Sequence, residues 1–203
     1  MGNTQTQYPN QLSAAIDQQI RGRVTAMLGE TWEDQYWRMH RQYGLLARTA
    51  ASDKLEEIHD PDRARDILYH FCCDAFHLKD WIINADDQKP EIQQAVRAFL
   101  PKNHADPPSP ALAMCADIAN GFKHGGVDPD RYGCYTPGGP AEIVKHSKGA
   151  SIPAPVPHHL SGNHWTIRAQ ASGKERYGLH VAKEAVDAWD AWLPTNGLAL
   201  PSL

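Results

Sequence analysis

The chain has 203 residues, enough for one domain of ordinary size with a core that needs no disulfide or metal staple. Its formal net charge is −4 with histidines neutral, so the molecule as a whole does not attract nucleic acid or an anionic membrane, and any phosphate-binding surface must be a local patch. No apolar stretch is long enough to span a bilayer and the polar start lacks the apolar core of a secretory signal, which predicts a cytoplasmic protein with no membrane partner.

The first predicted helix covers 11–28, where Leu12, Ile16, Ile20, Val24 and Leu28 recur at helical spacing and Gly29 follows as a C-cap. Thr31 caps the second, with Asp34 as the acidic partner of a capping box and Trp37, Leu45 and Leu46 on its apolar face. The turn between the two is short, so they should pair antiparallel. Asp60 and Pro61 start a third helix that runs to about Asn84, with a dry face of Leu68, Phe71, Cys72, Ala75, Leu78 and Ile82. A fourth begins near Pro90 and ends near Leu100, where Pro101 stops it. Ser109 and Pro110 open a fifth, which ends around His124 before Gly125 and Gly126.

Beyond that point glycine and proline recur to Gly162, with only short apolar pieces such as Ile143 and Val144, so this stretch reads as loops and at most short strands. Trp165, Ile167 and Ala169 alternate with polar residues up to a turn at Ser172 and Gly173, and Tyr177, Leu179 and Val181 alternate beyond it, the pattern of a hairpin. A last helix over about 182–193 buries Ala185, Val186, Trp189, Trp192 and Leu193 before Pro194. The expected fold class is mainly α, a single domain over 1–203. It divides into a bundle of about five helices over 11–124, Gly/Pro-rich loops over 125–163, and a small C-terminal β-hairpin with a terminal helix over 164–193.

Two of these helices carry polar seams. His70, Asp74, His77, Trp81 and Asn84 fall along one line of the third helix, and Asp117, Asn120 and His124 along one line of the fifth. Two such lines on otherwise apolar helices point to one shared site, built of groups that accept, donate and shuttle protons near neutral pH. A structural reading competes with it: an unpaired buried polar group costs roughly 1–3 kcal/mol, so the acids would serve only to orient the histidines by hydrogen bonds. A third reading is a metal bundle. Asp74 and His77 have the carboxylate–histidine spacing of such sites, and His70, His77 and His124 would ligate a single ion. The chain has no CxxC or HExxH spacing, and neither metal nor cofactor is expected. Cys72 and Cys73 are adjacent and, with Cys115 and Cys134, read as reduced core thiols.

The segment Arg65-Asp66-Ile67-Leu68-Tyr69-His70 fits the pattern Arg-polar-x-x-x-His, and here the chain resembles the HEPN superfamily of all-helical domains, many of which are RNases or partners in toxin–antitoxin and phage-defence systems. The resemblance implies that His70 is the general acid/base, Arg65 the charge partner of the phosphate and Asp66 the polar position between them. At the corresponding place before His124 the arginine position is Ala119. More of the chain is similar to a family of uncharacterised bacterial proteins in which a His-Leu-x-Asp-Trp segment recurs with an Asp-x-Ala-Asn-Gly-x-Lys-His segment. These are His77-Leu78-Lys79-Asp80-Trp81 and the run from Asp117 through Asn120 and Lys123 to His124. That similarity extends to the Trp165 strand and the Trp189/Trp192 helix and brings no established activity.

The candidate catalytic set is therefore Arg65, His70, Asp74, His77, Asp117, Asn120, Lys123 and His124. The expected function is binding or acting on nucleic acid in a mobile-element or defence setting, with a protein partner or a second copy as further assemblies. The alternatives are a non-enzymatic interaction module whose seams are structural and a mononuclear metal-binding bundle. A basic groove around Arg63, Arg65, Lys79 and Lys123 favours the first reading, a closed dry interior the second.

Overall fold

A computed structural model describes residues 29–51, 63–86, 88–102, 104, 106–124, 134–137, 139–146, 164–170 and 172–202. These form helices α1 (Trp32–Ala51), α2 (Arg63–Asn84), α3 (Pro90–Phe99) and α4 (Pro110–His124), then strands β1 (Ala141–His146), β2 (His164–Ala169) and β3 (Lys174–Tyr177), and finally helix α5 (Gly178–Thr195). The fold is mainly helical with a small antiparallel sheet, as the sequence predicts. The helix predicted over 11–28 and the Asp60–Pro61 start lie outside the described residues.

Helix α2 is the centre of the molecule, packing on α1, α3, α4 and α5 and touching β2. Its predicted dry face is the core: Phe71, Cys72, Ala75, Leu78 and Ile82 have no exposed surface, and Leu112 and Cys115 of α4 and Val181, Ala185 and Trp189 of α5 are sealed in the same cluster. Each large apolar side chain so buried contributes about 1.5–3 kcal/mol. Trp189 also donates from Nε1 to the Ala75 carbonyl at 2.9 Å, so the largest core side chain leaves no polar atom unpaired.

Local signals set the helix starts. The Asp34 carboxylate accepts hydrogen bonds from the Thr31 amide at 2.8 Å and the Thr31 hydroxyl at 3.2 Å, which fixes the first turn of α1. Ser109 Oγ accepts from the Leu112 amide at 3.3 Å, with Pro110 as the first residue of α4.

The sheet differs from the predicted hairpin at both ends. A third strand, β1, pairs antiparallel with β2, and the order is β1-β2-β3. Register puts Arg168 opposite both Glu142 and Glu175, and its guanidinium bonds them at 3.4 Å and 2.8 Å. At the other end β3 stops at Tyr177, and Leu179 and Val181 belong to α5. Val181 instead opens a helical period, in which Val181, Ala182, Ala185, Val186 and Trp189 form one buried face. Gly178 makes the junction. A Cβ there would lie 2.6 Å from Leu68 Cδ2 and 3.2 Å from the Trp165 carbonyl oxygen, so only glycine lets α5 seat this closely on α2. Pro194 lies inside the last turn of α5, and the helix ends one residue later.

Strand β1 packs on α4 while β2 and β3 contact α5, which brings the segment before β1 onto α4. Among the described residues no helix is long and apolar enough to cross a membrane.

Candidate functional site

Asp117 shapes the site from below. It has no exposed surface, and its two carboxylate oxygens accept hydrogen bonds from the Tyr135 amide at 2.8 Å and the Thr136 amide at 3.0 Å. Burial pushes the carboxyl above its ordinary value, while the bonds from Thr136 and Tyr135 pull the other way. Asp117 thus anchors an irregular segment whose amides have no strand partner. The ring of Tyr135 packs edge-on against Phe76 with centroids 5.4 Å apart, so the anchored segment presents this tyrosine to α2.

One turn along α2 from Phe76 stands a charged triplet. His77 Nδ1 lies 3.3 Å from one oxygen of Asp80, and Lys79 Nζ donates to the other at 2.6 Å while sitting 4.3 Å from the centroid of the Phe76 ring. Burial raises the Asp80 carboxyl, but the hydrogen bonds from His77 and Lys79 and their charge outweigh it and hold the group below the usual carboxylate range. Asn84 Nδ2 donates to the Asp80 carbonyl at 2.7 Å.

Lys79, Asp80, Ile83 and Asn84 form one wall of an open groove of about 500 Å³. The far wall is Arg97 of α3 with Leu100, Pro101 and Lys102 just after it, and Tyr135 completes the lining. Lys79 is neutralised by Asp80, whereas Arg97 and Lys102 make no ion pair among the described residues. The groove therefore carries about two positive charges in excess on a chain of net negative charge, a locally focused field.

The other predicted residues lie elsewhere. Asp74 turns toward α1, where Gln35 Nε2 donates to its carbonyl at 3.0 Å and to Oδ1 at 3.2 Å, and Gln35 in turn accepts from Arg38 at 2.7 Å. Burial raises the Asp74 carboxyl above its ordinary value. Arg65 is exposed and bonded to its neighbour Asp66 at 3.0 Å, with its guanidinium carbon 5.8 Å from the centroid of the Trp165 ring. His70 is exposed, its ring edge-on to Tyr69. Neither Arg65 nor His70 lines the groove. Asn120 is half-buried and Lys123 exposed, while the side chain of His124 lies outside the described residues.

The two seams do not share a network: among the described residues no hydrogen bond joins Asp74 or His77 to Asp117. The Tyr135 phenol is held up at about 12 by burial first and then by the charges of Asp80 and Asp117. Alignment along one helix line says which residues share a face, not which neighbour that face meets. No three or more His, Cys, Asp and Glu side chains among the described residues are grouped to hold a metal ion.

No protein-family model, curated protein or solved structure matches this chain.

Sequence reasoning missed three of its residues. Arg97 and Lys102 flank Pro101 without periodicity, and Tyr135 lies in the Gly/Pro-rich stretch where no pattern marks it. Asp80 was legible as part of the His77-Leu78-Lys79-Asp80 segment, three positions from His77 on a helix. Also missed was a cluster tying α1 to α5, in which Asp190 Oδ1 accepts from the Tyr36 hydroxyl at 2.9 Å and lies 3.3 Å from His40 Nε2. Asp190 lies 154 positions from Tyr36 and 150 from His40, and no local spacing links it to them.

Proposed function

We propose that the protein binds single-stranded nucleic acid, with the phosphate backbone entering the groove between the C-terminal end of α2 and the end of α3. The observation that carries this reading is the pair of cations, Arg97 and Lys102, facing the Lys79–Asp80 pair across an open groove and lacking acidic partners among the described residues. Ile83, Leu100 and Pro101 add apolar surface for a base or sugar. A groove of about 500 Å³ takes a nucleotide of a flexible strand, not the width of a duplex. The HEPN-like resemblance supports a nucleic-acid partner independently of this geometry.

The test is fluorescence anisotropy with a short single-stranded RNA. Arg97→Glu combined with Lys102→Glu should weaken binding by at least roughly tenfold and flatten its dependence on salt. Both side chains are exposed, so the melting temperature should stay where it is. Unchanged affinity in the double variant overturns the reading.

The His77–Asp80 pair favours a second reading, strand cleavage. An imidazole held at Nδ1 by a carboxylate has its Nε2 available for proton transfer beside the groove. The HEPN-like motif assigns the same task to His70 with Arg65 as the phosphate partner. Cleavage lost in His77→Ala and kept in His70→Ala and Arg65→Ala places the chemistry at the groove; the reverse pattern places it at the HEPN-like motif.

A further inference from the structure

The groove is polarised in a way that an internal phosphodiester does not require. Lys79 and Asp80 cancel, leaving Arg97 and Lys102 as two uncompensated cations among the described residues. Tyr135 adds a second, independent feature: it is only 5% exposed, yet it lines the groove and its hydroxyl makes no hydrogen bond within the described structure. A hydroxyl with no partner among the described residues, at the lining of an open groove, is a donor that a ligand can take up. A phenol keeps its hydrogen at neutral pH and meets an anion as a donor.

An internal phosphodiester carries one negative charge. A terminal phosphomonoester carries about −1.5 to −2 at neutral pH, since its second ionisation falls near pH 6, and it has three oxygens open to donors. Two free cations and one uncommitted hydroxyl match the second group and exceed the needs of the first. The size of the groove agrees, because about 500 Å³ accommodates one terminal nucleotide.

We propose that the groove recognises the terminal phosphomonoester of a single-stranded nucleic acid, with Arg97 and Lys102 as its charge partners and the Tyr135 hydroxyl as a hydrogen-bond donor. This deepens the nucleic-acid reading above and rests on it. Equilibrium binding of one RNA sequence should be compared with a 5′-phosphate, a 3′-phosphate and hydroxyl ends, using the full chain. One of the phosphorylated strands should bind at least roughly tenfold more tightly than the hydroxyl-ended strand near pH 7.5, and the preference should shrink near pH 5, where the monoester carries a single charge.

Tyr135→Phe should remove most of that preference, read as the ratio of phosphorylated to hydroxyl-ended affinity in the same variant. Should that variant fail to fold, Arg97→Gln with Lys102→Gln, both at exposed positions, should weaken binding of all three strands and collapse the ratio of phosphorylated to hydroxyl-ended affinity. Equal binding of all three strands overturns the end-recognition proposal while the nucleic-acid reading stands. Absence of binding by any strand overturns both.

Discussion

Asp74 and Asp117 stand in comparable places in the two seams and share a raised carboxyl, but they do different work. Asp117 pairs two backbone amides of a segment that has no other partner for them, so its removal leaves two buried donors unsatisfied. Asp117→Ala should cost roughly 2–4 kcal/mol in denaturant unfolding and should also weaken RNA binding, because Tyr135 hangs on that segment. Asp74 receives Gln35, a contact that asparagine can keep through its own amide oxygen.

The sign of the pH dependence follows from the direction of the Asp74 shift. Its carboxyl in the folded chain ionises above the ordinary value of 3.8, so the folded state holds the proton over a window in which the unfolded chain has lost it. Stability declines as pH rises through that window, and Asp74→Asn, with nothing to ionise, escapes that decline. The melting temperature of the variant minus that of the wild type should therefore grow from about pH 4 to about pH 7. A difference that is flat, or that shrinks with pH, contradicts the burial of this carboxyl. Asp80 acts in the opposite sense: held below the usual range by His77 and Lys79, it supports the fold above its unfolded value and loses that support as the medium becomes acidic.

At the scale of elements, most of the helical frame was legible because its signals are local. The capping acid at Asp34, the Ser109–Pro110 start and the dry face of α2 all depend on residues a few positions apart, and each is found where the spacing places it. The end of β3 was not legible, because Val181 serves both the strand alternation and the helical period and the deciding fact is distant: Gly178 must pass under Leu68, more than a hundred positions earlier. A short strand at Ile143 and Val144 was allowed by the sequence, but its pairing with β2 across a Gly/Pro-rich stretch was not legible. Gly178→Ala should destabilise the chain by about 1–3 kcal/mol through overpacking. Leu68→Val in the same chain should recover part of that loss, a coupling visible only in a double-mutant cycle. Strict additivity of the two changes would mean that the Gly178–Leu68 contact does not govern the junction.

At the scale of the molecule, the site was legible only along α2. His77 and Asp80 announce themselves by spacing, but what turns them into a site is the arrival of Arg97, Lys102 and Tyr135 from α3, its trailing loop and the segment anchored by Asp117. That convergence is a property of packing, and periodicity within one helix carries no trace of it. It also divides the predicted residues. Asp74 and Asp117 hold structure, Arg65 and His70 face solvent at the other end of α2, and His77 sits beside the groove through Asp80.

Whether function resides at this groove can be read from backbone amide resonances as single-stranded RNA is added. Perturbations should gather at Lys79 to Asn84, at Arg97 to Lys102 and at Tyr135 and Thr136, the three stretches that meet only in the folded molecule. Perturbations gathered at Arg65 to His70, with the groove silent, would contradict that placement.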